Sequence, residues 1–231
     1  MRIICTTCDR YIEQAIYPFA FLFNRYWGNS ESVTIIGNKA PQKPLPENFR
    51  FYKVTSSGWE KKDFTNGLIP FLWNCHDDQI VWLLDDYWLN TPVDVSGVKA
   101  LSDYMQKTTM PILRMDLTRD RECSYRCTPM GRWSGMDLIK SPKDTPYQMS
   151  LQAGIWNVRL LLDILQPNWS PWDVELSGTQ RVDDQDMVVM GTMNAPVFYT
   201  NALNNNTPGI NLSGLDPDII SEMKERGILN A

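Results

Sequence analysis

The apolar positions of the chain change period several times, and each change marks an element. Arg2-Ile3-Ile4-Cys5-Thr6 is a short β-branched apolar run, which fits a buried strand better than a turn of helix. From Tyr11 onward Ile12, Ala15, Ile16, Phe19, Ala20, Phe23 and Trp27 recur at steps of three and four, the period of one helix face. Pro18 lies inside that run. An internal proline costs about 3 kcal/mol, so the helix is expected to kink or restart there. Val33-Thr34-Ile35-Ile36 before Gly37 predicts a second strand and Phe51-Tyr52-Lys53-Val54 a third, joined by a proline-rich loop over 41–46. Phe64, Leu68, Phe71, Leu72 and Cys75 return to helical spacing. Ile80-Val81-Trp82-Leu83-Leu84 is then a continuous apolar run of the kind buried on both faces of a sheet. Strands alternating with helices predict a doubly wound α/β sheet.

After Asp94, Val98, Leu101 and Met105 fit one more short helix, and residues 111–115 another strand. Residues 116–150 mix Arg, Cys, Gly and Pro with no clear period, and a loop-rich region of that length in a compact domain is usually functional. The apolar pattern over 155–165 reads as helix. In Ser170-Pro171-Trp172-Asp173, Ser at the N-cap, Pro at the first helical position and Asp at the third form a capping-box start. The last helix opens with Asp216-Pro217 and closes at Gly227. No internal repeat or linker divides the chain, so one domain is expected over 1–231.

Composition narrows the function classes. The chain has 231 residues, 43% apolar and 21% charged, which excludes disorder and low-complexity architectures. Lys and Arg number 22 against 27 Asp and Glu, a net charge of −5. No global positive field exists to gather nucleic acid or anionic lipid, and any phosphate is bound at one local site. Five cysteines, an odd number, with no cationic leader at the start of the sequence, point to reduced thiols and a cytoplasmic location. No apolar stretch approaches the roughly 20 residues of a membrane span, so no transmembrane segment is expected. Neither G-x-G-x-x-G after the first strand nor a P-loop is present, which argues against a dinucleotide-dependent oxidoreductase and a P-loop NTPase.

The sharpest chemical feature is Leu83-Leu84-Asp85-Asp86-Tyr87, two carboxylates at the end of the most apolar strand. In parallel α/β sheets ligands bind beyond the carboxyl ends of strands. Adjacent carboxylates repel one another there, and a hard cation bridging them to a diphosphate turns repulsion into binding. The alternative is a solvated turn or a helix cap.

At this point the chain resembles the small glycosyltransferases of GT-A type, particularly those of bacterial and phage surface-polysaccharide genes. The likeness rests, in order, on Ile4-Cys5-Thr6 with Asp9-Arg10-Tyr11, on residues 82–89 around Asp85-Asp86-Tyr87, on 150–156 (SLQAGIW), and on 170–175 (SPWDVE). It implies a single GT-A-like domain with a mixed sheet and helices on both faces. Residues 1–116 would form the nucleotide-sugar-binding half, and 117–231 the acceptor side and C-terminal helix. It further implies a nucleotide-diphosphate-sugar donor, Mn²⁺ or Mg²⁺ on the pyrophosphate, and a glycan or other hydroxyl acceptor attacking the anomeric carbon. The family's DxD motif carries a carboxylate at its third position, where this chain has Tyr87. Metal ligation then falls to Asp86, with Asp85 nearer the ribose or metal waters; a metal-independent variant stays open.

The same resemblance assigns nucleotide contact to the loop Thr6-Thr7-Cys8-Asp9-Arg10. The loop leads into a helix N-terminus, which favours anionic groups. Arg10 is expected to pair with a phosphate and Asp9 with base or ribose, with an N-cap as the alternative for Asp9. An inverting transfer needs a general base for the acceptor hydroxyl. Trp172-Asp173-Val174-Glu175 offers two candidates about 200° apart on a helix. Asp173 has a capping task and Glu175 has none, so Glu175 is the expected base and Asp173 the second choice; both could instead be ordinary first-turn acids. Gln152, Trp156 and Trp172 are expected in the acceptor wall, with burial the alternative for the tryptophans. Cys5-x-x-Cys8 with Cys123 and Cys127 has loose zinc-site spacing and reads as incidental. His76, the only histidine, reads as a surface turn residue, and residues 183–186 as a solvated acidic loop. Two other functions remain open. One is a sugar-1-phosphate nucleotidyltransferase, against which residues 6–12 lack the glycine-rich loop; the other is a non-catalytic carbohydrate-binding protein on a transferase fold.

Overall fold

The structure, a computed structural model, describes residues 1–54, 63–124, 126–204 and 207–229. In chain order its elements are β1 (Arg2–Thr6), α1 (Ile12–Tyr26), β2 (Val33–Gly37), β3 (Phe49–Lys53), α2 (Phe64–Trp73), β4 (Gln79–Leu84), β5 (Tyr87–Leu89) and α3 (Val95–Lys107). Next come β6 (Ile112–Asp116), α4 (Asp120–Ser124), β7 (Thr128–Trp133), β8 (Met136–Lys140), β9 (Gly154–Asn157), α5 (Val158–Ile164) and α6 (Pro171–Asp183). The chain finishes with β10 (Val188–Thr192), β11 (Tyr199–Asn201), β12 (Leu203–Asn204), β13 (Thr207–Ile210) and α7 (Pro217–Glu225).

Nine strands form one mixed sheet in the order β3-β2-β1-β4-β9-β6-β10-β8-β7. The first four are parallel, β9 runs antiparallel to both β4 and β6, and β10 runs parallel to β6. The carboxyl ends of β1, β4, β6 and β10 therefore share one side of the sheet, the side on which β9 begins. Because strand side chains alternate, β1 sends Ile3 and Cys5 to one face and Ile4 to the other. On the first face they join a core built with α1, α3 and α7, through Ile16, Leu101 and Met223. On the second, Ile4, Ile80 and Trp82 pack with α2, α5 and α6, through Leu68, Leu161 and Val174. Burial on both faces is why these strands read as unbroken apolar runs. The expected mixed sheet with helices on both faces is what the chain forms.

Three expectations need correction. The segment 155–165 is not one helix: Ile155 and Trp156 belong to β9, and α5 starts only after Asn157, whose side chain accepts from the Leu160 N–H at 3.1 Å. A buried strand and a buried helix turn give the same apolar run, and only the cap at Asn157 separates them. The aperiodic stretch 116–150 contains α4 and the hairpin β7–β8. β7 is an exposed edge strand with no apolar alternation to betray it, and its turn uses Ser134 and Gly135, both at positive φ. Finally, of the kink or restart expected at Pro18, the restart does not occur: the helix continues through Pro18, which is buried.

Candidate functional site

The site grows from the end of β4. Asp85 follows Leu84 at the sheet edge, yet its side chain is buried. Its backbone N–H donates to the Thr6 carbonyl, and its own carbonyl accepts from the Trp88 indole at 3.1 Å. The Thr7 hydroxyl donates to the Asp85 carboxylate. Thr7 can reach it because β1 and β2 close tightly: a Cβ on Gly37 would stand 2.6 Å from the Thr7 methyl carbon. Among the described residues no lysine or arginine forms an ion pair with Asp85 or Asp86. Burial, reinforced by the neighbouring Asp86 charge, pushes Asp85 from 3.8 up to about 8 despite the Thr7 hydrogen bond. Burial alone pushes Asp86 up to about 6. Two carboxyls that resist ionisation side by side are costly to keep unless a cation is to join them.

These shifts carry a pH signature. Each carboxyl holds its proton more tightly in the folded chain, so its contribution to stability is fully present below 3.8. That contribution is lost as pH rises through about 6 and then about 8. Cation-free protein is therefore expected to melt at a lower temperature near pH 9 than near pH 5, and Asp86→Asn to flatten part of that fall. Thermal melts across the range check this, and parallel slopes in both proteins would contradict it.

Tyr87 starts β5, which pairs with β11. Its ring stacks on Tyr199 with centroids 4.3 Å apart and planes 12° from parallel. The third motif position therefore holds an aromatic pair in place of a carboxylate. Both phenols are pushed well above the usual range by burial, and stay protonated. The Tyr199 hydroxyl donates to Gln152 Oε1 at 2.8 Å, and the same oxygen lies 3.2 Å from Thr118 Oγ1. Thr118 in turn donates to Asp116 Oδ1 at 2.8 Å. Asp116 Oδ2 lies 3.4 Å from both Arg114 Nη1 and Arg121 Nε, and all three side chains are fully buried. Arg114 Nη2 reaches the Gln152 carbonyl at 3.2 Å, and Arg121 donates to the Tyr147 carbonyl. An Arg–Asp–Arg cluster thus underpins the site, and nothing in the periodicity of 112–121 announced it.

On the far wall, α6 begins as expected. Ser170 Oγ accepts from the Asp173 N–H at 3.1 Å, and Asp173 Oδ2 accepts from the Ser170 N–H at 2.9 Å and from its hydroxyl at 2.7 Å. Asp173 is thereby committed to the cap. Glu175 is half-buried, accepts from the Leu151 N–H at 2.8 Å, and is raised by burial against the lowering effects of that hydrogen bond and of Arg114. Asp120 acts electrostatically on Glu175, Tyr87 and Tyr199 alike. The structure thus brings together Thr7, Asp85, Asp86, Gln152 and Glu175 at the carboxyl side of the sheet, along with Tyr87, Arg114, Asp116, Asp120 and Tyr199. Of these, Tyr87 was noted only as a departure from a motif, and the other four were missed.

Other expected site residues are placed differently. Thr6 is buried, and its hydroxyl accepts from the Trp82 indole at 3.1 Å, so it supports the core instead of lining the site. Trp156 is fully buried on β9, 5.6 Å from Trp82 between ring centroids and with the Arg114 guanidinium over its ring. It is removed from the acceptor wall, because a central strand closed on both faces offers no ligand access. Trp172 remains 47% exposed near the start of α6. Asp9 is not the N-cap; that position is Tyr11. Asp9 instead accepts from Asn38 Nδ2 at 3.1 Å and the Lys39 N–H at 3.0 Å, tying the loop after β1 to the loop after β2. Arg10 is exposed and lies 4.8 Å over the Tyr11 ring. Cys5 is buried and Cys8 exposed, and the side chain of Cys123 lies outside the described residues. His76 is an exposed turn residue before β4, at the opposite end of the sheet from Asp85. In the 183–186 turn, Asp183 accepts from the Asp144 N–H and Asp186 pairs with Lys143.

The cluster makes one glycine indispensable. A Cβ on Gly154 would stand 3.0 Å from Arg114 Nε and 3.3 Å from the Met115 carbonyl oxygen. Arg114 is held at both ends and cannot withdraw, so Gly154→Ala is expected to destabilise the protein by about 1–3 kcal/mol, the usual cost of overpacking. Urea unfolding measures it, and an unchanged midpoint would show that the cluster yields.

No protein-family profile and no curated protein sequence matches the chain. Among solved structures, residues 1–349 of S. aureus TarS in complex with UDP-GlcNAc align with a TM-score of 0.50 at 10% identity, over 89% of this chain and 60% of that one. A UDP-glucose pyrophosphorylase complexed with UDP-glucose aligns at 0.49 and 9%, over 98% and 100% of the two chains. A cytidylyltransferase from Leptospira borgpetersenii aligns at 0.47 and 9%, over 98% and 94%. The chain thus has a GT-A-like mixed α/β fold. No described helix is long and apolar enough to cross a membrane.

Proposed function

We propose that this protein is a glycosyltransferase that moves a sugar from a nucleotide-diphosphate-sugar donor to an acceptor hydroxyl, with inversion and with metal assistance. The observation that carries the reading is the pair of buried Asp85 and half-buried Asp86 at the carboxyl end of β4, without a cationic partner among the described residues. Mn²⁺ or Mg²⁺ fits such a pair, being a hard cation that prefers carboxylate, phosphate and water oxygens. No group of three His, Cys, Asp or Glu able to hold a metal occurs among the described residues, so the diphosphate and water would complete the coordination. Asp86, the more accessible carboxylate, would hold the cation, and Asp85 would stand behind it, oriented by Thr7. When bound, the cation neutralises charge developing on the leaving diphosphate.

The remaining roles fall to the chain itself. The loop after β1, whose Thr7 N–H is taken by the Ile36 carbonyl, offers the exposed Arg10 to the nucleotide. Glu175 takes the proton from the acceptor hydroxyl as that oxygen attacks the anomeric carbon, and its raised affinity for a proton suits a base working near neutrality. Gln152 and Trp172 flank the acceptor. The reaction is assigned to the cytoplasm, with a surface polysaccharide of the bacterial or phage kind as the class of product.

Calorimetry with nucleotide-diphosphate sugars in the presence and absence of Mn²⁺ tests the reading, followed by a nucleotide-release screen over acceptors. Cation-dependent donor binding and nucleotide release are expected. Glycan binding that ignores the nucleotide would make the protein a carbohydrate-binding module. Pyrophosphate release from a nucleoside triphosphate and a sugar 1-phosphate would make it a nucleotidyltransferase.

A further inference from the structure

Gln152 sits on a segment held from three sides. Arg114 grips its carbonyl, Glu175 accepts from the preceding N–H of Leu151, and the Tyr199 hydroxyl donates to its side-chain oxygen. In the third contact the amide turns its oxygen toward Tyr199, whose protonated phenol donates to it. The Thr118 hydroxyl, 2.8 Å from Asp116 Oδ1, also lies 3.2 Å from the same Gln152 oxygen and can turn its proton toward either acceptor. The Gln152 oxygen therefore faces Tyr199, and its NH₂ group is turned the other way. Gln152 follows directly on Leu151, whose N–H anchors Glu175. Tyr199 is placed in turn by the stack with Tyr87, the residue directly after Asp86.

We infer that Tyr199 is a positioning residue of the transfer site, which fixes the Gln152 amide so that its NH₂ group donates to an oxygen of the incoming acceptor beside Glu175. The inference rests on the glycosyl-transfer reading and adds to it the group that orients the acceptor. It also gives Tyr87 a purpose: in place of a third carboxylate it supplies the platform on which Tyr199 stands. A purely structural Tyr199 would affect stability; a positioning Tyr199 affects acceptor use and leaves donor binding alone.

Tyr199→Phe keeps the ring stack and removes only the hydroxyl. The acceptor KM is expected to rise about five- to tenfold, the value of one ordinary hydrogen bond, while the donor Kd by calorimetry stays unchanged. Gln152→Ala should produce a similar or larger acceptor defect, and the double variant Tyr199→Phe/Gln152→Ala should be no worse than Gln152→Ala alone. An unchanged acceptor KM in Tyr199→Phe, a defect confined to donor Kd, or additive effects in the double variant would each overturn the inference. A second readout separates its failure from that of the functional reading. In ¹⁵N NMR the Gln152 side-chain NH₂ signals should move in chemical shift between the wild type and Tyr199→Phe, because a hydrogen bond to the amide oxygen polarises the C–N bond. If the wild type transfers no sugar, the functional reading falls. An amide signal identical in the two proteins overturns the positioning by Tyr199 whether or not transfer is seen.

Discussion

Asp86→Ala is expected to lose turnover by about a thousandfold or more, the scale on which removal of electrostatic stabilisation at a developing charge is felt. The fold should not suffer. Asp86 is half-buried beside Asp85, has no cationic partner among the described residues, and is already pushed up to about 6 by burial. Burial is the main cause that pushes Asp85 up to about 8, and removing Asp86 takes away the repulsion that adds to it. In cation-free buffer near pH 8, Asp86→Ala should therefore melt at a temperature equal to or above that of the wild type while its activity vanishes. This opposition of stability and activity is the mark of a residue kept for chemistry at a cost to the fold. Mn²⁺ should raise the melting temperature of the wild type and leave that of Asp86→Ala unmoved, because a ligand stabilises only the state that binds it. Retained turnover in the folded variant, or wild-type turnover indifferent to chelators, would take the cation out of the mechanism.

The parts of this site that could be read from the sequence are those carried by local rules. Asp85-Asp86 follows the most apolar strand, and a strand buried on both faces has its ligand end at its carboxyl terminus, so the run itself points to the pair. Ser170-Pro171-x-Asp173 specifies a helix start through contacts three residues apart, and the capping box is there atom for atom. The remainder depends on contacts distant in sequence. Asp9 satisfies every local requirement of an N-cap, yet it spends its oxygens on Asn38 and Lys39, a pairing decided by how two loops meet. Trp156 looked like a helical residue facing a ligand because a strand inserted between β4 and β6 gives the same apolar letters as a helix turn. Arg114 and Arg121 are the plainest case. Arg114 interrupts an apolar run and Arg121 stands between Asp120 and Glu122, so both read as surface, and only the fold, by bringing Asp116 and the carbonyls of Gln152 and Tyr147 to them, makes their full burial possible.

Glu175 and Asp173 stand two residues apart and should answer substitution in opposite ways. Glu175→Gln preserves the shape of the side chain, and its amide oxygen can still accept from the Leu151 N–H, so the segment that carries Gln152 stays in place. What is lost is the ability to take a proton. Turnover is expected to fall by a factor of about 10² to 10⁴, with donor binding and melting temperature nearly unchanged. Asp173→Asn, by contrast, replaces the charged oxygen that accepts from both the N–H and the hydroxyl of Ser170 by a neutral amide oxygen, and the weakened cap should lower stability by about 1 kcal/mol while much of the turnover remains. The pH profile supplies an independent reading. Wild-type activity should decline on the acid side as Glu175 is protonated, and because burial raises its proton affinity the decline should begin above the ordinary glutamate value of 4.5. Glu175→Gln should lack that limb, and Asp173→Asn should keep it. Were Asp173→Asn to abolish turnover at unchanged stability while Glu175→Gln stayed active with its acid limb intact, the base would be Asp173 and the Leu151 contact of Glu175 a structural anchor alone.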